Sequence, residues 1–590
     1  MGKYNLLDEK WIPVILNEKG SIEKVSILEL FKNASSYLAL GGDTETQKFA
    51  LLRFLLAIPQ TVYSRFGMNG DPYEFFEVDE KLMQIEEVED EDSEDYKYEL
   101  GSTWSDLWKE KKYSKIMFDY LERWRDRFYL FDDKYPFYQV TSDVVAEDKI
   151  SRANPTTISG KTMNRVISES GNKIALFSPK NELKNNKEIL SEDEIARWLI
   201  TFQGYVGTSD KVIFGKEKYT ASKGWIYDIG GIYLEGDNIF ETLMLNTILG
   251  NRDNFYYKKQ KPCWEYSGQE IIDRYLVKND PDNIAELYTT WSRAIYINPE
   301  TDVEKPFEMQ VVKVPDIDHR DMFLEPMTVY RENKQGPNKD SFTPRKHISN
   351  QSMWRSFGNI FLAGSGEDNV QIPGVIRWFS EISEIIGRDK IITINAISME
   401  DDGNATSWMP VGEIYDRLDI HEIVITDDRN DGWNNIVYDL VEETKFAVSV
   451  IYRNLLADIS DMRRFKGTAF IDENISEMYY IIDHPFRDWI SSIDIKSSKE
   501  EKVFEWRKIV KGLILKSAEE IALKSGSREY KGIIVKRKNE PITESCIKNL
   551  AKSYSRFKYF LDKKIKTKEE EYAESKKKTT RLFHNEQDNF

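Results

Sequence analysis

The chain has almost no cysteine: among 590 residues only Cys263 and Cys546 occur, with no CxxC or CxxH spacing. That excludes a cysteine-based zinc site and a disulfide framework, and it points to a reducing, cytoplasmic compartment. No run of about 18 uncharged apolar residues is present, so a membrane span is not expected. The opening "MGKYNLLDEKWIPV" lacks the basic-then-apolar order of a secretion signal, so the sequon Asn404-Ala405-Thr406 is not expected to carry a glycan. Histidine is scarce too, and residues 319, 347, 421, 484 and 584 show no paired metal-ligand spacing. Basic residues are outnumbered, 83 Lys and Arg against 101 Asp and Glu for a net charge of −18. Such a chain does not coat nucleic acid by itself; any contact has to be local, beside more basic partners.

What is present is a large apolar and aromatic content, 40% and 13% of the residues, which describes packed globular structure. The length suggests two to four domains. "TETQKFALLRFLLAI" places Phe49, Leu52, Leu55 and Leu56 on one face of an amphipathic helix, and the acidic block 77–98 reads as a solvated insertion. Between 115 and 300, helical runs ("EDEIARWLITFQ") mix with strand-like ones ("GGIYLEG") without a βαβ period. After about residue 430 four helical stripes follow in series. They are Trp433 to Leu455; Ile475 to Ile493 with a kink at Pro485; Trp506, Ile509, Val510, Leu513 and Ile521; and Ile547, Leu550, Tyr554, Phe557 and Leu561. Linkers are expected at 454–472 and 525–545. The fold class is α+β: an irregular mixed N-terminal body over 1–427, followed by a C-terminal antiparallel four-helix bundle over 428–590.

Chemistry is harder to find. "SGKT" at 159–162 is half a phosphate loop, with Pro155 where the leading glycine belongs, and "HRD" at 319–321 lacks the glycine-rich loop and DFG of a kinase. No carboxylate cluster with histidine suggests a two-metal nuclease. No catalytic residue, metal ligand or cofactor is assigned, and a binding subunit is the preferred class. A metal-dependent nuclease or nucleotide-processing enzyme is one alternative, and a purely structural scaffold is another.

Specific segments carry a resemblance. "YNLLDEKWIPV" (4–14), "FYLFDDKYPFYQV" (128–140), "LSEDEIARWLITFQ" (190–203), "GGIYLEGDNIFETLMLN" (230–246), "LYTTWSRAIYI" (287–297), "FLEPMTVYR" (323–331) and "DGNATSW" (402–408) occur in an order that resembles the CasA family. That family supplies the large subunit of the type I-E CRISPR surveillance complex, Cascade. The resemblance implies a non-enzymatic subunit at the 5′ handle of the guide crRNA, among the other Cascade subunits. Such a subunit recognises the protospacer-adjacent motif (PAM) on double-stranded target DNA, starts strand separation and helps recruit the helicase-nuclease effector.

It also implies four elements. A wedge inserted beside the motif corresponds to Gly403, Asn404 and Ala405, where many relatives carry Gln at the tip. A glycine-containing loop to the minor groove falls in "GYVGTSDKVIFG", with Gly207, Thr208, Ser209 and Lys211 as its residues. A basic finger falls in "VVKVPDIDHR", as Lys313 or Arg320. A loop to guide RNA and neighbouring subunits spans 177–192, with Lys180, Asn181, Lys184, Asn185, Asn186 and Lys187 suited to phosphate and base contacts.

Overall fold

The computed structural model describes residues 2–169, 186–207, 212–250, 258–362, 369–387, 390–403, 409–536 and 545–572. Two compact units emerge. One comprises Met1–Met353, Ala363–Gly387 and Ile392–Arg417; the other comprises Trp354–Leu362, Arg388–Ile391 and Leu418–Phe590.

The first unit is a mixture of helices and small antiparallel sheets around a central helix, α1 (Glu45–Tyr63). The sequence predicts α1 to be buried on one face, yet every residue from Phe49 to Tyr63 is buried. This is possible because its interior charge is satisfied: Arg53 makes a two-pronged pair with Glu325, both bonds 2.7 Å, inside the core. The acidic side chains of the 77–98 block are exposed or half-buried, as a solvated segment requires, but two residues anchor it to the body. Gln84 and Tyr96 are buried, Leu82 O accepts a hydrogen bond from Arg65, and the block leads into α2 (Ser93–Glu110).

Further along, β1 (Thr156–Ser159) precedes α3 (Glu192–Tyr205), whose start is fixed by a capping box between Ser191 and Glu194. After β2 (Gly231–Glu235) come α4 (Gly268–Leu276), β3 (Arg293–Tyr296) and β4 (Glu308–Lys313). Strand β4 is the centre of a three-stranded antiparallel sheet in the order β1-β4-β3. Two long strands, β5 (Ile391–Asp401) and β6 (Pro410–His421), form a second sheet in the order β6-β5-β2, with Thr393 opposite Glu235 and Ile397 opposite Gly231. The β-branched run "KIITINAIS" becomes β5 as its alternation predicts. The following run, "RLDIHEIVIT", is strand only to His421, after which Glu422–Thr426 turns helical.

The second unit is built on four helical rods. The first runs continuously through α5 (Trp433–Phe446), a wide turn over Ala447–Tyr452 and α6 (Arg453–Arg463). Residues 454–463 are therefore helix rather than linker, and Leu455, Leu456, Ile459 and Met462 are buried along it. Helix α7 (Ala469–Ser491) continues across Pro485, and α8 (Lys499–Leu523) follows. Trp506 packs edge-on to Phe486, 5.1 Å between centroids, and Phe486 stacks on Trp354 at 4.5 Å.

Two details differ from the sequence pattern. In α8 the core positions are Trp506, Val510, Lys511, Ile514 and Ala518, while Ile509, Leu513 and Ile521 are half-buried. The span read as a linker carries strands β7 (Ile533–Lys536) and β8 (Ser545–Lys548), so Ile547 lies on a strand; the fourth rod, α9 (Leu550–Lys564), starts after the Asn549 cap.

Candidate nucleic-acid interface

Strands β5 and β6 are neighbours joined by a short loop whose mouth is closed by Asp402 N–H donating to Met409 O at 3.0 Å. Asp401, the last residue of β5, controls how the chain leaves the strand. Its Oδ1 accepts the Gly403 amide at 3.0 Å, and Gly403 takes a left-handed φ of +67° with open space where a Cβ would stand. Glycine is needed there for its backbone freedom rather than for room. The other oxygen, Oδ2, accepts from Lys346 Nζ at 2.9 Å. Lys346 also lies 3.7 Å from Asp228 and 4.3 Å from the Tyr227 ring centroid, and Asp228 is paired with Lys223. Burial disfavours the Asp401 charge, but the hydrogen bond and charge of Lys346 outweigh it and hold the carboxyl below its usual range. Asn404 and Ala405, the other two wedge residues, lie outside the described residues.

The loop after α3 is organised by a buried cation that the sequence reading missed. Arg293 is paired with Glu169, both fully buried, and its guanidinium also donates to Ser222 O at 2.6 Å and Gly207 O at 2.9 Å. Gly207 is thereby fixed, its amide donating to Ile167 O at 3.3 Å. Thr208, Ser209 and Lys211 lie outside the described residues. Glycine in this segment serves backbone packing as well: a Cβ on Gly224 would sit 2.0 Å from Gly204 O. A lone arginine inside "RAIYI" is the sequence signal for such a buried pair.

The two finger candidates part company. Lys313 ends β4 at 7% exposure with its Nζ 3.8 Å from Glu169, so burial leaves it no face to offer to a groove. Arg320 is exposed, but Asp318 holds its fork at 2.5 to 3.0 Å. Beside it, the "HRD" histidine serves the fold: His319 stacks on Trp225 at 4.0 Å and hydrogen-bonds Trp225 O. "SGKT" serves the fold as well, since the Lys161 amide donates to a Glu188 carboxylate oxygen at 2.8 Å. Of the RNA-loop residues, Asn186 and Lys187 are exposed, with Asn186 Oδ1 accepting the Glu188 amide; Lys180, Asn181, Lys184 and Asn185 lie outside the described residues.

An open cleft of about 1150 Å³ borders these segments, and of the described candidate residues Arg320 alone lines it. Asp401 at the wedge base, Tyr219 and Thr220 beyond the glycine-containing loop, and Asp318 and Arg320 of the finger segment all line it. Its six carboxylates outnumber its basic side chains, but most of the charge is compensated. Asp318, Asp401 and Asp228 are in ion pairs, and Asp316 is pushed up to about 7 by burial and by its neighbour Asp228, against Lys223. The lining stays net acidic, six carboxylates against four Lys and Arg side chains, so any contact with an anion there has to be made by individual cations. Among the described residues, no three His, Cys, Asp or Glu side chains are placed to hold a metal ion, and no helix is long and apolar enough to cross a membrane.

One unit is a mixed body of small sheets and helices, with the end of β5 at an open cleft; the other unit is helical. The chain matches the family of CRISPR-associated protein Cse1 over residues 5–517, and it belongs to that family. Its fold is that of solved Cse1 structures. Thermobifida fusca Cse1 matches with a TM-score of 0.74 and 20% identity, covering 96% of this chain and 98% of that one. Acidimicrobium ferrooxidans Cse1 matches at 0.66 and 21%, over 96% and 98%. CasA of Thermus thermophilus matches at 0.64 and 17%, over 95% and 100%. A chain of a CRISPR RNA-guided surveillance complex matches at 0.63 with 13% identity, over 95% and 100%. No curated protein sequence matches.

Proposed function

We propose that this chain is the large, non-catalytic subunit of a cytoplasmic type I-E CRISPR surveillance ribonucleoprotein. In that assembly it recognises the PAM on double-stranded target DNA and starts the strand separation that lets guide RNA pair. Family membership supports the assembly. The observation that carries the DNA role is the convergence of wedge base, loop flank and finger segment on one cleft. Sequence specificity then resides in guide pairing, and the protein needs only a few contacts at a short motif, which an acidic chain can supply locally.

The wedge works by occupancy. Separating one base step costs about a few kcal/mol, so a stem whose exit is fixed by Asp401 and Gly403 presents its tip, Asn404 and Ala405, where fraying would otherwise reclose. The 177–192 loop, with its lysines and asparagines, joins the chain to the guide's 5′ handle and to the other Cascade subunits. Once the strands part, the same subunit helps recruit the helicase-nuclease.

The test is reconstitution. Guide-loaded complexes assembled with and without this chain are compared for retention of duplex targets with and without the motif. Motif-dependent retention only when the chain is present supports the reading. Equal retention without the chain overturns it, and metal-dependent cleavage by the purified chain would favour the enzyme alternative.

A further inference from the structure

The sequence points to Lys313 and Arg320 as the basic contacts of the cleft, and the structure withdraws both charges. Lys313 is buried against Glu169, and Arg320 is tied to Asp318. Lys346 is likewise engaged by Asp401 and Asp228. Two lysines remain. Lys218 and Lys278 both line the cleft, both are exposed, and among the described residues neither has a carboxylate within ion-pairing distance.

Their backbones are held in place. Lys278 takes a left-handed φ of +56° just beyond α4, with its amide donating to Tyr275 O at 3.1 Å. Lys218 precedes Tyr219, whose hydroxyl donates to Lys313 O at 2.6 Å and accepts the Phe214 amide at 3.0 Å. Long cationic side chains on fixed stems, in a cleft whose other cations are neutralised, are what phosphate oxygens would meet first. Lys278 feels Asp280 through space, without a bond that a phosphate would have to break.

We infer that Lys218 and Lys278, rather than Lys313 or Arg320, are the residues that grip the backbone of duplex DNA in this cleft. The inference rests on the DNA-binding reading above and assigns its contacts. Each lysine that neutralises a phosphate releases condensed counterions, so each contributes about 0.9 to the slope of log K against log salt concentration. Gripping positions the duplex and carries no sequence information, so motif preference is expected to survive the loss of both.

The experiment measures duplex affinity of the guide-loaded complex across a salt series, for the parent chain, Lys218→Ala/Lys278→Ala, Lys218→Arg/Lys278→Arg and Arg320→Ala. The double alanine variant should lower the slope by about two and weaken binding at low salt for all sequences alike, while the double arginine variant keeps the parental slope. An unchanged slope in the double alanine variant, or a drop confined to Arg320→Ala, overturns the inference. The complex lacking this chain separates the two levels: if it binds duplex with the parental slope, the DNA-binding reading itself fails. Thermal melting of each variant chain confirms that a changed slope does not come from unfolding.

Discussion

Lys346 Nζ lies 2.9 Å from Asp401 Oδ2, and the other oxygen of the same carboxylate holds the Gly403 amide at 3.0 Å. One side chain from a distant segment thus fixes the residue that sets the exit path of the β5–β6 hairpin. If the hairpin acts as a wedge, this pair aims it.

Lys346→Met is therefore expected to leave assembly intact and slow opening of the duplex beside the motif. The pair is partly exposed and worth about 0.5–1 kcal/mol, so the effect should be about two- to fivefold. Lys346→Arg should restore most of the rate. Stopped-flow fluorescence of 2-aminopurine next to the motif measures it; equal rates for all three chains would make the pair a surface feature only.

At Gly403 the cost is in the backbone. Any other residue at a φ of +67° pays about 1–2 kcal/mol, so Gly403→Ala should redirect the exit while scarcely moving the melting temperature. Asn404→Asp places a negative charge at the tip and should also slow opening. A target already unpaired beside the motif should rescue both variants; an equal loss on duplex and unpaired targets would show that these residues serve folding or contact instead.

Asp316 makes stability depend on pH. Its carboxyl is pushed up to about 7, first by burial and then by Asp228 and Asp318, with Lys223 and Arg293 opposing. A raised carboxyl pKa means that the folded state holds the extra proton. Its penalty is absent below about pH 4, grows as pH rises toward 7, and is complete above that. Asp316→Asn should therefore raise the melting temperature at pH 8, by up to about a few kcal/mol of stability, and change it little at about pH 4.5. A gain independent of pH would show that the carboxyl is not protonated in the fold.

Arg293 is the test of the buried framework. Its removal leaves the buried Glu169 carboxylate with only the longer Lys313 contact and the Ser222 and Gly207 carbonyls without their Arg293 donor, which costs about 3–5 kcal/mol. Arg293→Met should lower the first unfolding transition by several degrees or abolish soluble expression. A parental melting curve would mean that the loop is held by other contacts.

How much of this is legible in the sequence depends on range. The long helices and β5 follow from periodicity within a window. Residues 454–463 read as linker because the polar and basic run toward Asp472 sets the tone of a short view, although Leu455, Leu456, Ile459 and Met462 keep helical spacing. In α8 the stripe shifts because Lys511 is a core residue, its ammonium satisfied by Glu570 at 2.6 Å and Asp562 at 2.8 Å, and no local pattern announces that. Lys313 misleads for the same reason. A lysine ending the alternating run "EMQVVK" points inward only because Glu169, 144 positions earlier in sequence, awaits it. Gly403 is legible, since a glycine between two strand-like runs asks for a left-handed turn; its clamp by Lys346, 57 positions away, is not.

The most direct test of the central claim places a photo-crosslinking amino acid at Glu217, an exposed residue of the cleft, in the guide-loaded complex on duplex target. The account expects crosslinks to DNA within a few nucleotides of the motif, lost when the motif is mutated. Crosslinks confined to guide RNA or to neighbouring protein, or to DNA irrespective of the motif, would contradict it.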